Sequence, residues 1–262
     1  MPELPGGRMR LHYEVSGAGV PLVFLHGLGG SIQQITKVYR PVDGVMLVTP
    51  DQQGHGQSDA DWGSYGFDTL ADDVIWLMDH LGIQKFFLAG ISMGAAVSAN
   101  IAIRYGECVR GMLLIRNAWT QRPMEQKVQK LFFACAECLK INSLTAFIAT
   151  PEYAALSGVS EYTRQAFTGM FDDEASVRHY QKFLILPRTS PFGDTALLSR
   201  IRQQVTILAN RNDLVHPFEY GEYYQKNIPG AVLHEIADKD TDLAAHNAAI
   251  NRHLGEMLGY RG

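Results

Sequence analysis

Phe86-Phe87-Leu88-Ala89-Gly90-Ile91-Ser92-Met93-Gly94-Ala95 decides how this chain is read. An apolar run without polar interruption suits a strand covered on both faces. It passes straight into G-x-S-x-G, and helix-compatible residues continue from there to Arg104. A serine held between strand and helix sits in a crowded backbone turn, and glycines two positions to either side remove the side chains that would stop it closing. The turn pushes the hydroxyl outward and aims the helix N-terminus at it, where developing negative charge is stabilised. Ser92 is therefore the candidate nucleophile.

Outward from this point, strand and helix signals alternate. Strands are expected at residues 9–15 (an edge strand), 21–25, 45–48, 85–89 and 109–115. Leu70, Val74, Leu77, Met78 and Leu81 recur at helical spacing over residues 67–81, and a second helix is expected over 95–104. Beyond Trp119 the strand runs nearly vanish, and helix-compatible stretches at 124–140, 144–149, 161–171 and 174–183 replace them. Alternation resumes with a strand at 205–209, a helix at 218–226, a strand at 231–236 and a helix at 243–258. This is an α/β pattern: a mainly parallel central sheet flanked by helices, with one core formed by residues 1–118 and 193–262. The helical insertion 119–192 is expected to cap the carboxyl ends of the strands, where ligands gather in open α/β sheets.

A serine hydroxyl needs an adjacent base. Nine histidines are available, so position must choose. His246 follows the last strand and stands near the start of the last helix, at the rim that carries Ser92. His253 lies two helical turns further on, and His234 falls within a strand. His246 is the expected base. The acid should follow the strand at 205–209, and Asn210-Arg211-Asn212-Asp213 supplies one carboxylate there. Asp213 would orient the imidazole and stabilise its charged form. Asp238, Asp240 and Asp242 share a loop with His246 and are read as solvated or helix-capping. An oxyanion hole needs backbone N–H groups from two places. Met93 offers one, and Leu28 within His26-Gly27-Leu28-Gly29-Gly30 offers the other. His26 itself is read as ordering that loop.

Composition narrows the remaining classes. The 262 residues are 46% hydrophobic and 19% charged, as in an ordinary globular domain, with a formal net charge of -4 that offers no footprint for nucleic acid. No apolar run of about 18 residues is present, so no membrane partner is expected. Residues 1–7 lack a leader pattern, and a cytoplasmic location is the default expectation. Cys108, Cys135 and Cys138 form an odd set, and Cys135 and Cys138 read as small apolar side chains on one helical face rather than metal ligands. No cofactor and no metal are implied.

The chain resembles the α/β-hydrolase superfamily, in its small capped branch of esterases, lactonases, carbon–carbon hydrolases and cofactor-free haloperoxidases. The residues that carry the likeness are His26-Gly27-Leu28-Gly29, Asp51-Gln52-Gln53-Gly54-His55-Gly56-Gln57-Ser58, Gly90-Ile91-Ser92-Met93-Gly94 and Asp213-Leu214-Val215-His216-Pro217. Two departures stand out: Gln53 replaces a usual arginine, and Ala245 precedes His246 where glycine is common. The resemblance implies a Ser92, Asp213, His246 triad with an oxyanion hole at Leu28 and Met93. The expected function is a serine hydrolase of a carboxylic ester or lactone, on a small apolar substrate, through an acyl-enzyme. Hydrolysis of C–C or thioester bonds, perhydrolysis, and a non-catalytic ligand receptor remain alternatives. Phe132, Phe133, Phe147, Tyr153, Tyr162, Phe167, Phe171 and Phe183 of the insertion favour an apolar or aromatic acyl or alcohol part, and would serve equally to hold its helices onto the core. Arg164, Arg178, Lys182 and Arg188 could meet a substrate carboxylate.

Overall fold

Apolar runs too short for helices and too continuous for a solvated face end up in the middle of a sheet. The computed structural model describes residues 9–156 and 158–260, so residues 1–7, read above for a leader, lie outside the described residues. Its strands are β1 (Tyr13–Gly17), β2 (Val20–Leu25), β3 (Val45–Pro50), β4 (Phe86–Ile91), β5 (Val109–Ile115), β6 (Gln204–Ala209) and β7 (Val232–Glu235). They join in the order β1-β3-β2-β4-β5-β6-β7, with β1 antiparallel to β3 and every other pairing parallel. The edge strands β1 and β7 are largely exposed, whereas β2 to β6 are mostly buried.

The helices are α1 (Ile32–Val38), α2 (Phe67–His80), α3 (Met93–Arg104), α4 (Gln126–Lys140), α5 (Leu144–Ile148), α6 (Pro151–Ala154), α7 (Glu161–Gly169), α8 (Glu174–Arg178), α9 (Gln181–Ile185), α10 (Phe218–Asn227) and α11 (Leu243–Met257). Alternate strand residues point to opposite faces. Val23, Leu25, Leu88, Met112 and Leu114 therefore pack with α2 and α3 on one side. Leu22, Phe24, Ala89, Leu113 and Ile115 pack with α1 and α11 on the other. β2 pairs with β3 on one side and β4 on the other, so the connections leaving β2 and β4 run in opposite directions. A crevice opens where such connections diverge, at the carboxyl ends of the strands.

Between β5 and β6 the described residues form helices only. After α4, which runs for 15 residues, they are short, and capping residues recur at their starts. Ser143, Thr150, Ser160 and Asp173 each accept a hydrogen bond from a backbone N–H in the first turn of the helix that follows, a device worth about 1 kcal/mol per helix. The single helix expected at 174–183 is two, because His179 leaves helical geometry (φ -114°, ψ 38°). α1 and α6 escaped the sequence reading, being too brief to display a period. Cys135 and Cys138 lie on the buried face of α4. Lys182 of α9, fully buried, ties this helical stretch to the loop after β3 by donating to the Gly54 carbonyl at 2.8 Å, and it also donates to the Ala175 carbonyl of α8 at 3.3 Å.

The turn between β4 and α3 is tight. Ser92 has φ 56° and ψ -109°, a left-handed conformation that costs a non-glycine residue about 1–3 kcal/mol. The flanking glycines let it close. A Cβ on Gly90 would lie 2.2 Å from the Gly94 carbonyl oxygen, and one on Gly94 would lie 2.3 Å from the Leu25 carbonyl oxygen. Both clashes are with backbone and no side-chain movement relieves them. Gly94→Ala should therefore destabilise the protein by roughly 3 kcal/mol or more, since overpacking against rigid neighbours costs at least 1–3 kcal/mol. Urea unfolding should show a lowered midpoint; an unchanged midpoint would contradict this packing.

Candidate active site

Three adjacent parallel strands end in left-handed residues that are not glycine. Ser92 follows β4, Arg116 (φ 52°) follows β5, and Asn212 (φ 60°) comes shortly after β6, just before Asp213. Each reversal turns the chain sharply at the strand's end, and together they bring the side chains of Ser92, Arg116 and Asp213 to one rim. Arg116 is fixed there by its N–H, which donates to the Leu208 carbonyl at 2.8 Å.

The ring that joins Ser92 to Asp213 belongs to His216. Its Nε2 lies 2.9 Å from Ser92 Oγ, and its Nδ1 lies 2.9 Å from Asp213 Oδ1. Asp213 Oδ1 also accepts the N–H groups of Val215 and His216 at 3.1 Å each. Asp213 Oδ2 accepts Arg116 Nε at 3.0 Å and, closer still, Arg116 Nη2. Burial by itself pushes the Asp213 carboxyl up. The neighbouring His216 and Arg116 outweigh burial and hold it well below the ordinary carboxylate range. An ionised carboxylate only accepts, so the proton of neutral His216 belongs on Nδ1, and Nε2 is left to accept from the serine hydroxyl. Arg116 Nη2, 3.0 Å from that same Nδ1, then acts by its charge rather than by a hydrogen bond. Burial lowers His216 to about 4, and Arg116 pushes the same way while Asp213 opposes. At neutral pH the imidazole is uncharged and able to take a proton.

His246, expected against Ser92, is corrected by this geometry. Its position in the first turn of α11 turns the ring back onto its own loop, where Nδ1 lies 2.8 Å from the Ala237 carbonyl oxygen. Its Nε2 is buried without a partner among the described residues. Of the expected side chains, the structure thus brings Ser92 and Asp213 together and leaves His246 apart. The signal for His216 lay in the Asp213-Leu214-Val215-His216-Pro217 stretch itself. A histidine three residues after a carboxylate, in a turn that opens α10, can fold back onto that carboxylate. Neither spacing nor periodicity says that its other nitrogen reaches a strand end 124 residues earlier.

The loop after β2 closes the rim. A Cβ on Gly27 would lie 3.3 Å from Ser92 Cβ, so the main chain passes directly beside that serine. Gln34 Oε1 accepts the Gly27 N–H at 2.7 Å. Buried His26 holds the loop: its Nε2 accepts the Gln52 N–H at 2.9 Å, and its Nδ1 donates to the Gly27 carbonyl at 2.9 Å. Burial lowers this ring to about 4, which keeps it in the neutral form these bonds require. Leu28 lines the space above Ser92. Met93 opens α3, so its N–H has no acceptor within the helix.

A cavity of about 110 Å³ opens on Ser92 and His216. Its apolar wall comes from Leu28, Phe132, Ala166, Phe167 and Met170, and Tyr162, Arg116 and Lys239 also border it. Other aromatics of the helical stretch pack on one another instead, as Phe147 does against Phe171 with ring centroids 5.6 Å apart. None of Arg164, Arg178, Lys182 and Arg188 lines the cavity. Arg164 pairs with Glu161 at 2.8 Å, Arg188 covers the Phe133 ring, Arg178 contacts His179, and Lys182 is spent on backbone carbonyls. Gln53, standing where the resemblance leads one to expect arginine, donates to Asp73 Oδ2 at 3.1 Å. Burial raises Asp73 to about 7, and an amide lowers it only partly.

Comparison with known proteins places this geometry in context. A family model described as alpha/beta hydrolase fold matches residues 20–240. The chain is 26% identical over 240 residues to the AB hydrolase superfamily protein YisY of Bacillus subtilis (strain 168), spanning 87% of each. It is 27% identical over 235 residues to an Agrobacterium fabrum protein named "Putative carbamate hydrolase RutD", spanning 85% of this chain and 88% of that one. The crystal structure of the enol-lactonase from Burkholderia xenovorans LB400 shares the fold, with a TM-score of 0.74 over 98% of this chain and 100% of that one at 18% identity.

Arg116 and Asp213 are both buried, and breaking such a pair costs about 3–5 kcal/mol because one charge is left without its partner. Asp213→Asn should lose roughly that much stability at pH 7 in urea unfolding. Because the folded carboxyl lies below its ordinary value of 3.8, the wild-type advantage is present above that pH and lost as pH falls through and below it. An Asn variant as stable as wild type at pH 7 would contradict the ion pair.

Proposed function

The chain belongs to the alpha/beta hydrolase fold family, and from that premise we propose that it is a serine hydrolase of carboxylic esters or lactones acting through Ser92, His216 and Asp213. The observation that carries the reading is the 2.9 Å approach of His216 Nε2 to Ser92 Oγ. Hydrolases are this family's trade; the bond type and the residues that act are the proposal.

Ser92 Oγ attacks the substrate carbonyl while His216 Nε2 takes its proton. Asp213, held ionised, keeps the proton of the resting ring on Nδ1 and stabilises the imidazolium that forms. The tetrahedral oxyanion rests on the N–H groups of Leu28 and Met93, with the N-terminus of α3 adding its partial positive charge. His216 passes its proton to the leaving alcohol and leaves an acyl-Ser92. Water, deprotonated by the same nitrogen, then releases the acid. Residues 119–192 serve as the cap, and their apolar side chains over the cavity limit the substrate to a small group. A carbamate presents the same kind of carbonyl, so the name carried by the Agrobacterium relative makes carbamates a natural member of the substrate panel.

Ser92→Ala should abolish hydrolysis of short p-nitrophenyl esters and labelling by a fluorophosphonate probe. His216→Ala should lose on the order of 10⁴-fold or more in kcat, as removal of a triad base does. His246→Ala should lose at least about a hundredfold less than that, since its ring is not on the serine. A His246 variant as crippled as the His216 variant would overturn the assignment. The pH profile is a second check. The base works only when neutral, so kcat/KM should fall as pH drops through about 4 and stay flat from there towards neutrality. An acid limb near 6.5 would mean that the base is a solvated histidine.

A further inference from the structure

Two cavities share a wall beside Ser92. The one that opens on the serine and a neighbour of about 120 Å³ are both bordered by Gln34, Ile91, Tyr162 and Lys239. The neighbour adds Lys37 of α1 and His246 of α11. Arg116, Lys37 and Lys239 thus border the pair, and among the described residues no Asp or Glu lines either cavity. In a chain with 27 acidic and 23 basic residues this is a marked local excess of positive charge. Asp213 lies behind the wall, with both oxygens already occupied by Arg116 and His216.

Of these cations Arg116 is committed to Asp213, and Lys239 stands in the wall that the two cavities share. Its ammonium sits 4.2 Å from the centroid of the Tyr162 ring, and no carboxylate among the described residues pairs with it. A cation over an aromatic face keeps part of its surface available for an anion. His246 supplies an independent sign of a missing ligand. The residue is fully buried, it borders the second cavity, and its Nε2 has no partner among the described residues. Buried polar atoms in folded proteins are nearly always satisfied, and an exception calls for an explanation.

We propose that Lys239 and His246 form an anion-recognising subsite next to Ser92, so that the substrate is a small ester or lactone that also carries a carboxylate. The carboxylate accepts from the Lys239 ammonium, and the Nε2 of His246 takes up a proton and donates to the same group. The word substrate rests on the hydrolase reading; the anion site does not. The electrostatics fit. Burial first, and Arg116 second, push Lys239 well below its ordinary value, while Asp213 pulls the other way. Burial likewise lowers His246 to about 4, with Lys239 and Arg116 pressing in the same direction. The groups facing the pair are Arg116, Asp213, His216, Lys37 and the Tyr162 ring. An anion would relieve the repulsion among the cations and favour protonation of both side chains.

The test is calorimetric binding to the Ser92→Ala protein. Monomethyl glutarate is compared with dimethyl glutarate, and O-acetylglycolate with its methyl ester, which puts the carboxylate on the acyl or the alcohol side in turn. In at least one pair the anion should bind tenfold or more tightly than the neutral ester, and the preference should widen from pH 8 to pH 6. Adding Lys239→Met should shrink the ratio to about twofold, while Lys239→Arg should keep most of it; melting curves check that each variant is folded. Equal binding within both pairs, or a ratio that survives Lys239→Met, overturns the subsite. Turnover by the protein with Ser92 intact separates the two ideas. Selective binding without hydrolysis leaves the subsite standing and removes the hydrolase reading. Hydrolysis of neutral esters with no anion preference does the reverse.

Discussion

One buried carboxylate holds the site together. Asp213 accepts from two backbone N–H groups of its own turn, from His216 Nδ1 and from the Arg116 guanidinium. The backbone bonds fix the turn after β6, the guanidinium compensates the buried charge, and what remains orients the imidazole. With Asp213 uncharged, nothing would decide which His216 nitrogen faces Ser92. The cost of carrying this charge inside the protein is offset by a partner equally out of water. That arrangement is sensitive to the loss of either member and contributes modestly to stability as a pair.

Arg116 gives the arrangement an unusual balance. It stabilises the carboxylate yet stands close enough to His216 to oppose a positive charge on the ring. A neutral, weakly basic imidazole follows, held over a serine whose backbone is already strained by its place between β4 and α3. The strain of the left-handed residues at Ser92, Arg116 and Asn212 is borne by the strands behind them, whose apolar residues pack into cores on both faces of the sheet. Rigid packing there brings the side chains that follow β4, β5 and β6 to one rim, where His216 bonds Ser92 and Asp213 bonds His216 and Arg116.

The helical stretch between β5 and β6 contributes walls rather than reactive groups. Phe132, Phe167 and Met170 line the cavity at Ser92, while Phe147, Phe171 and Phe183 pack among the helices themselves. The cationic residues of the stretch that looked available in sequence are paired, stacked or buried against carbonyls. The positive charge near Ser92 comes instead from the ends of β5 and β7, through Arg116 and Lys239.

Local chemistry was legible without coordinates: apolar runs of strand length, the glycines that a left-handed serine demands, and the carboxylate placed after β6. Those features depend on neighbours a few residues apart, so the parallel sheet, the strand-to-helix elbow and the positions of Ser92 and Asp213 could be read from the order of residues. The choice of imidazole could not. His216 and His246 both follow strands on the correct rim, and only packing tells them apart. The turn after Asp213 folds one ring forward onto the serine, and the start of α11 folds the other back onto Ala237. Which nitrogen reaches which oxygen depends on how strands far apart in the chain are set side by side, a distance that no local pattern encodes.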